Sequence, residues 1–269
     1  MLAKRVLVSI IILIILAIAI FILPDWALYL FYAAFIILSL VEFFDLAHKK
    51  GIFVHKYWGI ILGILFSATY YFQQILGIKF WELEVIAICI IGLFLLQFIR
   101  RDGSSAIASI SVSLFGLLYI AWFFSFFIKL RYLDSGALWI SFVILVSKSG
   151  DVGAYFIGNR FGRHQLIQRI SPNKSVEGAV GGFAVSILVA YISRLFLPAV
   201  PVIHILVLGI SLGILAQIGD MAESLLKRDA GVKDSGKIIP GFGGLLDLID
   251  SLLFTTPFLY FYLTVMEIQ

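Results

Sequence analysis

Runs of about 20 apolar residues recur along almost the whole chain, and no other feature constrains its fold so tightly. The first reads VLVSIIILIILAIAIFIL, from Val6 to Leu23. A helix that crosses the hydrocarbon of a bilayer needs roughly 20 mostly apolar residues. Nine candidates follow one another at 6–23, 26–45, 57–77, 83–99, 105–128, 136–157, 177–198, 201–226 and 244–266, several bounded by prolines such as Pro24, Pro198 and Pro201. In lipid every backbone N–H and C=O must be satisfied within the protein, so runs of this length form helices. The expected fold is all-α: a polytopic integral membrane protein of about nine transmembrane helices. No stretch between the segments is long enough for a soluble domain, so the chain reads as a single membrane domain.

Composition agrees. Hydrophobic residues make up 62% of the chain and charged residues 13%, against about a quarter charged in soluble domains. The basic and then apolar N-terminus resembles a signal peptide, but no small-x-small cleavage site follows it, and it reads as a first membrane helix. The single cysteine, Cys89, excludes an intrachain disulfide and a cysteine metal cluster. The net charge of +4 is a matter of placement. If the N-terminus is cytoplasmic, that side receives Lys4 and Arg5, Lys49 to Lys56, Arg100 and Arg101, the basic residues of 160–174 and those of 227–237. The other side keeps Lys79, Lys129, Arg131 and Arg194. That asymmetry is the ordinary orientation signal, with N-terminus in and C-terminus out, and nucleic acid is not needed to explain it. The histidines His48, His55, His164 and His204 have no metal-ligand spacing, and no P-loop is present.

Three segments nevertheless carry polar stripes near their cytoplasmic ends. Lys148, Asp151 and Tyr155 fall on one face of the sixth. Asp220, Glu223, Ser224 and Lys227 share a face of the eighth, and Asp247, Asp250 and Ser251 a face of the ninth. A charge at the centre of a spanning helix costs about 2.5–3.5 kcal/mol on the insertion scale, so such groups face one another or a wet cavity. Lys148 with Asp151 could serve as a structural ion pair. The carboxylates of the eighth and ninth segments would repel one another, and a divalent cation is their natural partner. The stretches 158–182 and 224–251 join glycines to Lys and Arg, as phosphate-binding loops do, and Ser175 is placed to cap a helix N-terminus that suits an anion. Basic loops and helix-packing glycines would also arise without any ligand. Taken together, phosphate-binding loops and a metal-suited acidic set in a membrane protein suggest phosphoryl or nucleotidyl transfer onto a lipid.

The stretch SLLKRDAGVKDSGKIIPGFGGLLDLID carries the resemblance. Ser224, Lys227, Arg228, Lys233, Asp234, Gly236, Pro240, Gly243, Gly244, Asp247 and Asp250 match, in order and spacing, the signature of the phosphatidate cytidylyltransferases, or CDP-diacylglycerol synthases. The blocks GDVGAYFIGNRFGRH and ISPNKSVEGAVGG also resemble that family. Phe242 stands where the family usually has His, and Leu248 where it usually has Arg. The resemblance implies transfer of CMP from CTP to phosphatidate, giving CDP-diacylglycerol and pyrophosphate. It implies Mg²⁺, with a second metal ion left open, held by Asp220 and Asp247 with Asp250 or Glu223 close by, and a catalytic set of Asp220, Asp247, Lys227 and Asp250. Substrate binding is expected at Lys174, Ser171, Glu177, Ser224, Arg228, Lys233, Asp234, Gly243, Gly244, Asp151 and Tyr155. The segments within 104–269 would then carry the catalytic site, and those within 1–103 would serve packing or assembly. Expected partners are CTP, phosphatidate and membrane lipid, with a homodimer left open, and the expected location is a bacterial inner membrane with the site facing the cytoplasm. A CTP-dependent transferase acting on an ether lipid or a polyprenol, and more remotely a transporter, are the alternatives.

Overall fold

The computed structural model of the chain describes residues 2–77, 82–100, 105–239 and 243–268. Lys79, Arg101, Pro240 and Phe242, which entered the sequence reading, lie outside them. The described residues are overwhelmingly helical: α1 (Leu2–Phe21), α2 (Asp25–Lys49), α3 (Lys56–Leu76), α4 (Glu82–Ile99), α5 (Ala106–Gly116), α6 (Phe123–Arg131), α7 (Gly136–Phe161), α8 (Val176–Ile192), α9 (Val202–Asp229) and α10 (Leu246–Val265). A π-helical segment, Leu117–Trp122, joins α5 to α6, and together they make one continuous span, Ala106–Arg131. Among the described residues, eight helices are long and apolar enough to cross a membrane, and Ile10–Phe21 of α1 adds a shorter apolar one. Their bounds follow the predicted segments to within a few residues. The exception is the seventh segment, where α8 stops at Ile192 and a short 3₁₀ turn, Ser193–Leu195, closes it ahead of Pro198.

One element was not expected. Between α7 and α8 the chain forms a small antiparallel hairpin, β1 (Gln165–Ile167) on β2 (Ser171–Ser175), with Gln165 opposite Ser175.

The residues sort into two compact units: 1–132 with 229–248, and 133–228 with 249–269. In the first, α2 is the central element. Ile36, Leu40, Phe43 and Phe44 are buried along it. Glycines admit these rings and branches: a Cβ on Gly59 would stand 2.6 Å from the Phe44 ring, and one on Gly116 would stand 2.7 Å from the Phe43 ring.

In the second unit, α7 and α8 are held backbone to backbone. A Cβ on Gly182 would lie 2.6 Å from the carbonyl oxygen of Gly150 and 2.8 Å from the Cβ of Ala154. One on Gly178 would lie 2.8 Å from the Ala154 carbonyl. Lipid tails are as apolar as the side chains, so helices in a bilayer associate by close packing, and small residues permit it. The N-terminus of α8 is capped as its sequence suggests: Ser175 Oγ accepts the Gly178 N–H at 3.1 Å.

Gly182→Val should therefore lower the midpoint of thermal unfolding in detergent, since overpacking a close contact costs about 1–3 kcal/mol. Gly92→Ala on α4, where a Cβ meets nothing within 4 Å, should leave the midpoint unchanged or raise it.

Candidate functional site

The close approach of α7 and α8, with the hairpin between them, shapes a cavity of about 280 Å³. Helix α7 contributes Asp151, Tyr155 and Asn159, the hairpin Ser171 and Lys174, and α9 Asp220. Five of these six were expected from the sequence. Asn159, like Gln217 and Asn173 elsewhere on the wall, was not, because a neutral amide leaves no charge signature in an apolar run. The ammonium of Lys174 is in contact with the Asp220 carboxylate, and both side chains are about 30% exposed, at 31% and 29%. The capped N-terminus of α8 stands in the same wall, through Ser175 and Gly178.

A second network lies along α7 and the part of α10 in the same unit. Lys148 Nζ donates to Ser251 Oγ at 2.7 Å and to Asp151 Oδ2 at 3.2 Å, with Asp250 Oδ1 at 3.5 Å. Ser251 Oγ is also 3.3 Å from Asp151 Oδ2. Asp250 is buried and accepts the N–H of Ser251. The expected structural ion pair of Lys148 with Asp151 is present, and it is only part of the arrangement. One lysine answers two carboxylates, and the charge of Asp220 acts on both of them. Helix α10 can come this near because Gly219 lies against it: a Cβ there would be 2.6 Å from the Asp250 carbonyl oxygen.

Other expected residues take different places. Glu223 is fully buried and paired with Lys227 one turn along α9, with Ser224 buried beside them. Arg228 Nε donates to the Ile170 carbonyl at 3.1 Å, which ties the end of α9 to the hairpin. Glu177 is turned to the other end of the hairpin. Its carboxylate accepts the N–H groups of Arg163 and His164 at 3.0 and 3.2 Å and meets His164 Nδ1 at 2.6 Å.

In the first unit, the loop from Asp229 to the start of α10 carries Lys233 and Asp234, both exposed. Asp247 Oδ2 accepts the N–H groups of Gly244 at 2.7 Å and Ser235 at 3.0 Å, and lies 2.9 Å from Ser235 Oγ. Gly243 is left-handed, with φ of 101°, and a Cβ on it would meet Asp247 Oδ2 at 2.6 Å. The conformation and the space both require glycine there. The sequence reading passed over Glu42 of α2, which is buried and reaches this loop.

The donors fit a hard divalent cation in kind, since carboxylate oxygens are what Mg²⁺ takes. Among the described residues no three His, Cys, Asp or Glu side chains converge into a complete ligand set.

Comparison with known proteins gives a consistent result. The sequence profile described as the cytidylyltransferase family matches residues 3–266. The chain is similar to a phosphatidate cytidylyltransferase of Bacillus subtilis, 39% identical over 202 residues that make up 74% of each chain. It is 32% identical over 280 residues to one of Synechocystis sp., covering 93% of each. To one of Thermotoga maritima it is 39% identical over 173 residues, 62% of this chain and 64% of the other.

Removing Lys148 would leave Asp151 and Asp250 without their shared cation. Lys148→Met should cost about 1–3 kcal/mol, the penalty for a polar partner left unmade, read as a lower unfolding midpoint in detergent. Adding Asp151→Asn should recover part of that loss.

Proposed function

The chain belongs to the cytidylyltransferase family, and on that premise we propose its reaction and the roles of its residues. It transfers CMP from CTP to phosphatidate. A phosphate oxygen of phosphatidate attacks the α-phosphorus of CTP and forms the new P–O–P bond. The bond from that phosphorus to the oxygen bridging to the β-phosphate breaks, and pyrophosphate leaves with the electron pair. The products are CDP-diacylglycerol and pyrophosphate, with no change in oxidation state. Phosphatidate needs no strong base, because a phosphomonoester with a second pKa near 6 is already largely a dianion at neutral pH.

The difficulty is that two anions must meet. The observation that carries the reading is the wall on which Lys174, Ser171 and the capped N-terminus of α8 face Asp220 and Asp151. The lysine and the helix N-terminus attract phosphate oxygens. We assign Asp220 and Asp250 to hold Mg²⁺, which when bound would supply charge neutralisation of the triphosphate and of the leaving pyrophosphate, and we keep Asp247 in the catalytic set as the motif implies. Lys148 holds Asp151 and Asp250 in place. Arg228 keeps the hairpin and its Lys174 in register through Ile170. Lys227 is a further cation for CTP phosphates, and the exposed Lys233 keeps the substrate-binding role that the motif implies. Tyr155, about half exposed, lines the cavity where a lipid headgroup would lie. The Lys and Arg asymmetry supports a cytoplasmic face for this site, the side from which CTP arrives. The bacterial sources of the relatives support a plasma-membrane location.

Incubation of the purified protein with labelled CTP, phosphatidate and Mg²⁺, followed by chromatography of the lipid fraction, should give labelled CDP-diacylglycerol. Omitting Mg²⁺ or adding EDTA should stop its formation. Asp220→Asn should lower turnover by about 100-fold or more, the scale on which a preorganised electrostatic group contributes, while leaving the protein folded in detergent. Wild-type turnover in that variant would remove Asp220 from the metal's ligands.

A further inference from the structure

Glu42 sits in the middle of the apolar run of α2, yet its side chain is enclosed, with 4% of the residue exposed. Its partners are hydrogen-bond donors of the motif loop. Oε1 accepts the N–H of Leu245 at 2.9 Å, and Oε2 accepts the N–H of Leu246 at 2.8 Å. Ser235 Oγ lies 2.9 Å from Oε2. Leu246 is the first residue of α10, so a carboxylate from a distant helix caps this one. The first N–H groups of a helix have no partner within it, and negative charge is favoured beside them.

The loop is built to admit that carboxylate. A Cβ on Gly236 would stand 2.3 Å from Glu42 Oε1, and one on Gly244 would stand 2.3 Å from Oε2. Neither glycine has a positive φ, so it is space and not backbone conformation that demands them. Ser235 links Glu42 to Asp247, because its hydroxyl lies 2.9 Å from Glu42 Oε2 and 2.9 Å from Asp247 Oδ2. One hydroxyl has one proton, so the two carboxylates compete for it. Moving Glu42 therefore changes where that proton goes as well as where Ser235, Gly244 and Asp247 stand.

We propose that Glu42 is a positioning residue for the transfer reaction: from α2 it fixes Ser235 and the segment Gly244 to Leu246, and thereby the place of the Asp247 carboxylate. The proposal rests on the reaction assigned above. A purely structural cap would alter stability alone. A positioning residue alters the chemical step in molecules that remain folded.

The test uses the full chain in detergent or nanodiscs, as wild type, Glu42→Gln and Ser235→Ala. Amide hydrogen exchange is followed at Gly244, Leu245 and Leu246, and kcat and KM are measured per folded molecule. Glu42→Gln keeps the shape but turns an amide NH₂ toward an N–H donor. Exchange at Leu245 and Leu246 is expected to rise about tenfold or more, the consequence of one hydrogen bond to a charged group lost. On the same basis kcat is expected to fall about tenfold or more, with KM for phosphatidate within about twofold of wild type. Ser235→Ala leaves the Glu42 cap in place and is expected to lower kcat by about threefold, the smaller loss of one neutral donor. If Glu42→Gln does not fold, a fall in kcat for Ser235→Ala supports the proposal and wild-type kcat overturns it. Unchanged exchange at Leu245 and Leu246 overturns it, and so does a kcat per folded molecule equal to wild type. If wild-type protein makes no CDP-diacylglycerol, the assigned reaction fails, and the exchange measurement alone then decides whether Glu42 holds the loop.

Discussion

Asp151, Asp220, Glu223 and Asp250 in the second unit, and Glu42 and Asp247 in the first, are each matched to a cation or to fixed N–H donors, and much of the arrangement follows from that need. In surroundings this apolar, an uncompensated charge is costly enough to be lost from the sequence or to distort the fold around it. Lys174 answers Asp220, Lys148 answers both Asp151 and Asp250, and Lys227 answers Glu223. Asp247 and Glu42 are answered by backbone N–H groups. Lys148 and Lys174 each reach a carboxylate of another element of the same unit, α10 and α9 respectively. Charge compensation is therefore also tertiary structure, and the site and the packing of its helices are one problem.

This division of labour separates two kinds of carboxylate. Those met by lysines at partly exposed positions can exchange a side-chain cation for another positive partner at modest cost, because exposed ion pairs are weak. Those met by the main chain are held in one place by donors of fixed position, Asp247 through its Oδ2. Ser235 and Gly244 to Leu246 are thus tied by fixed hydrogen bonds, and the cavity of α7, the hairpin and α9 holds the adaptable charges.

Much of this was legible in the amino-acid order. The spans were legible because lipid enforces both length and helicity, and the polar faces of α7, α9 and α10 because charge is conspicuous against leucine and isoleucine. The Ser175 cap could be read for the same local reason. The hairpin could not: strands of three and five residues with charged neighbours carry no period that separates them from a loop. Glu177 and Arg228, expected as substrate contacts from the resemblance, also tie this region together, Glu177 through Arg163 and His164 just before β1 and Arg228 through the Ile170 carbonyl. Glu42 escaped because it is the one buried acid of a helix whose other buried positions are nearly all apolar, and its partners lie about 200 positions away in sequence.

The glycine and alanine seam between α7 and α8 has a mechanical consequence. Where main chains touch, there is no layer of side chains to shear or re-pack, so the pair behaves as a single stiff plate. A two-tailed guest sliding in from the bilayer cannot part these helices, and its doorway has to open along a boundary upholstered with bulkier, more compliant groups.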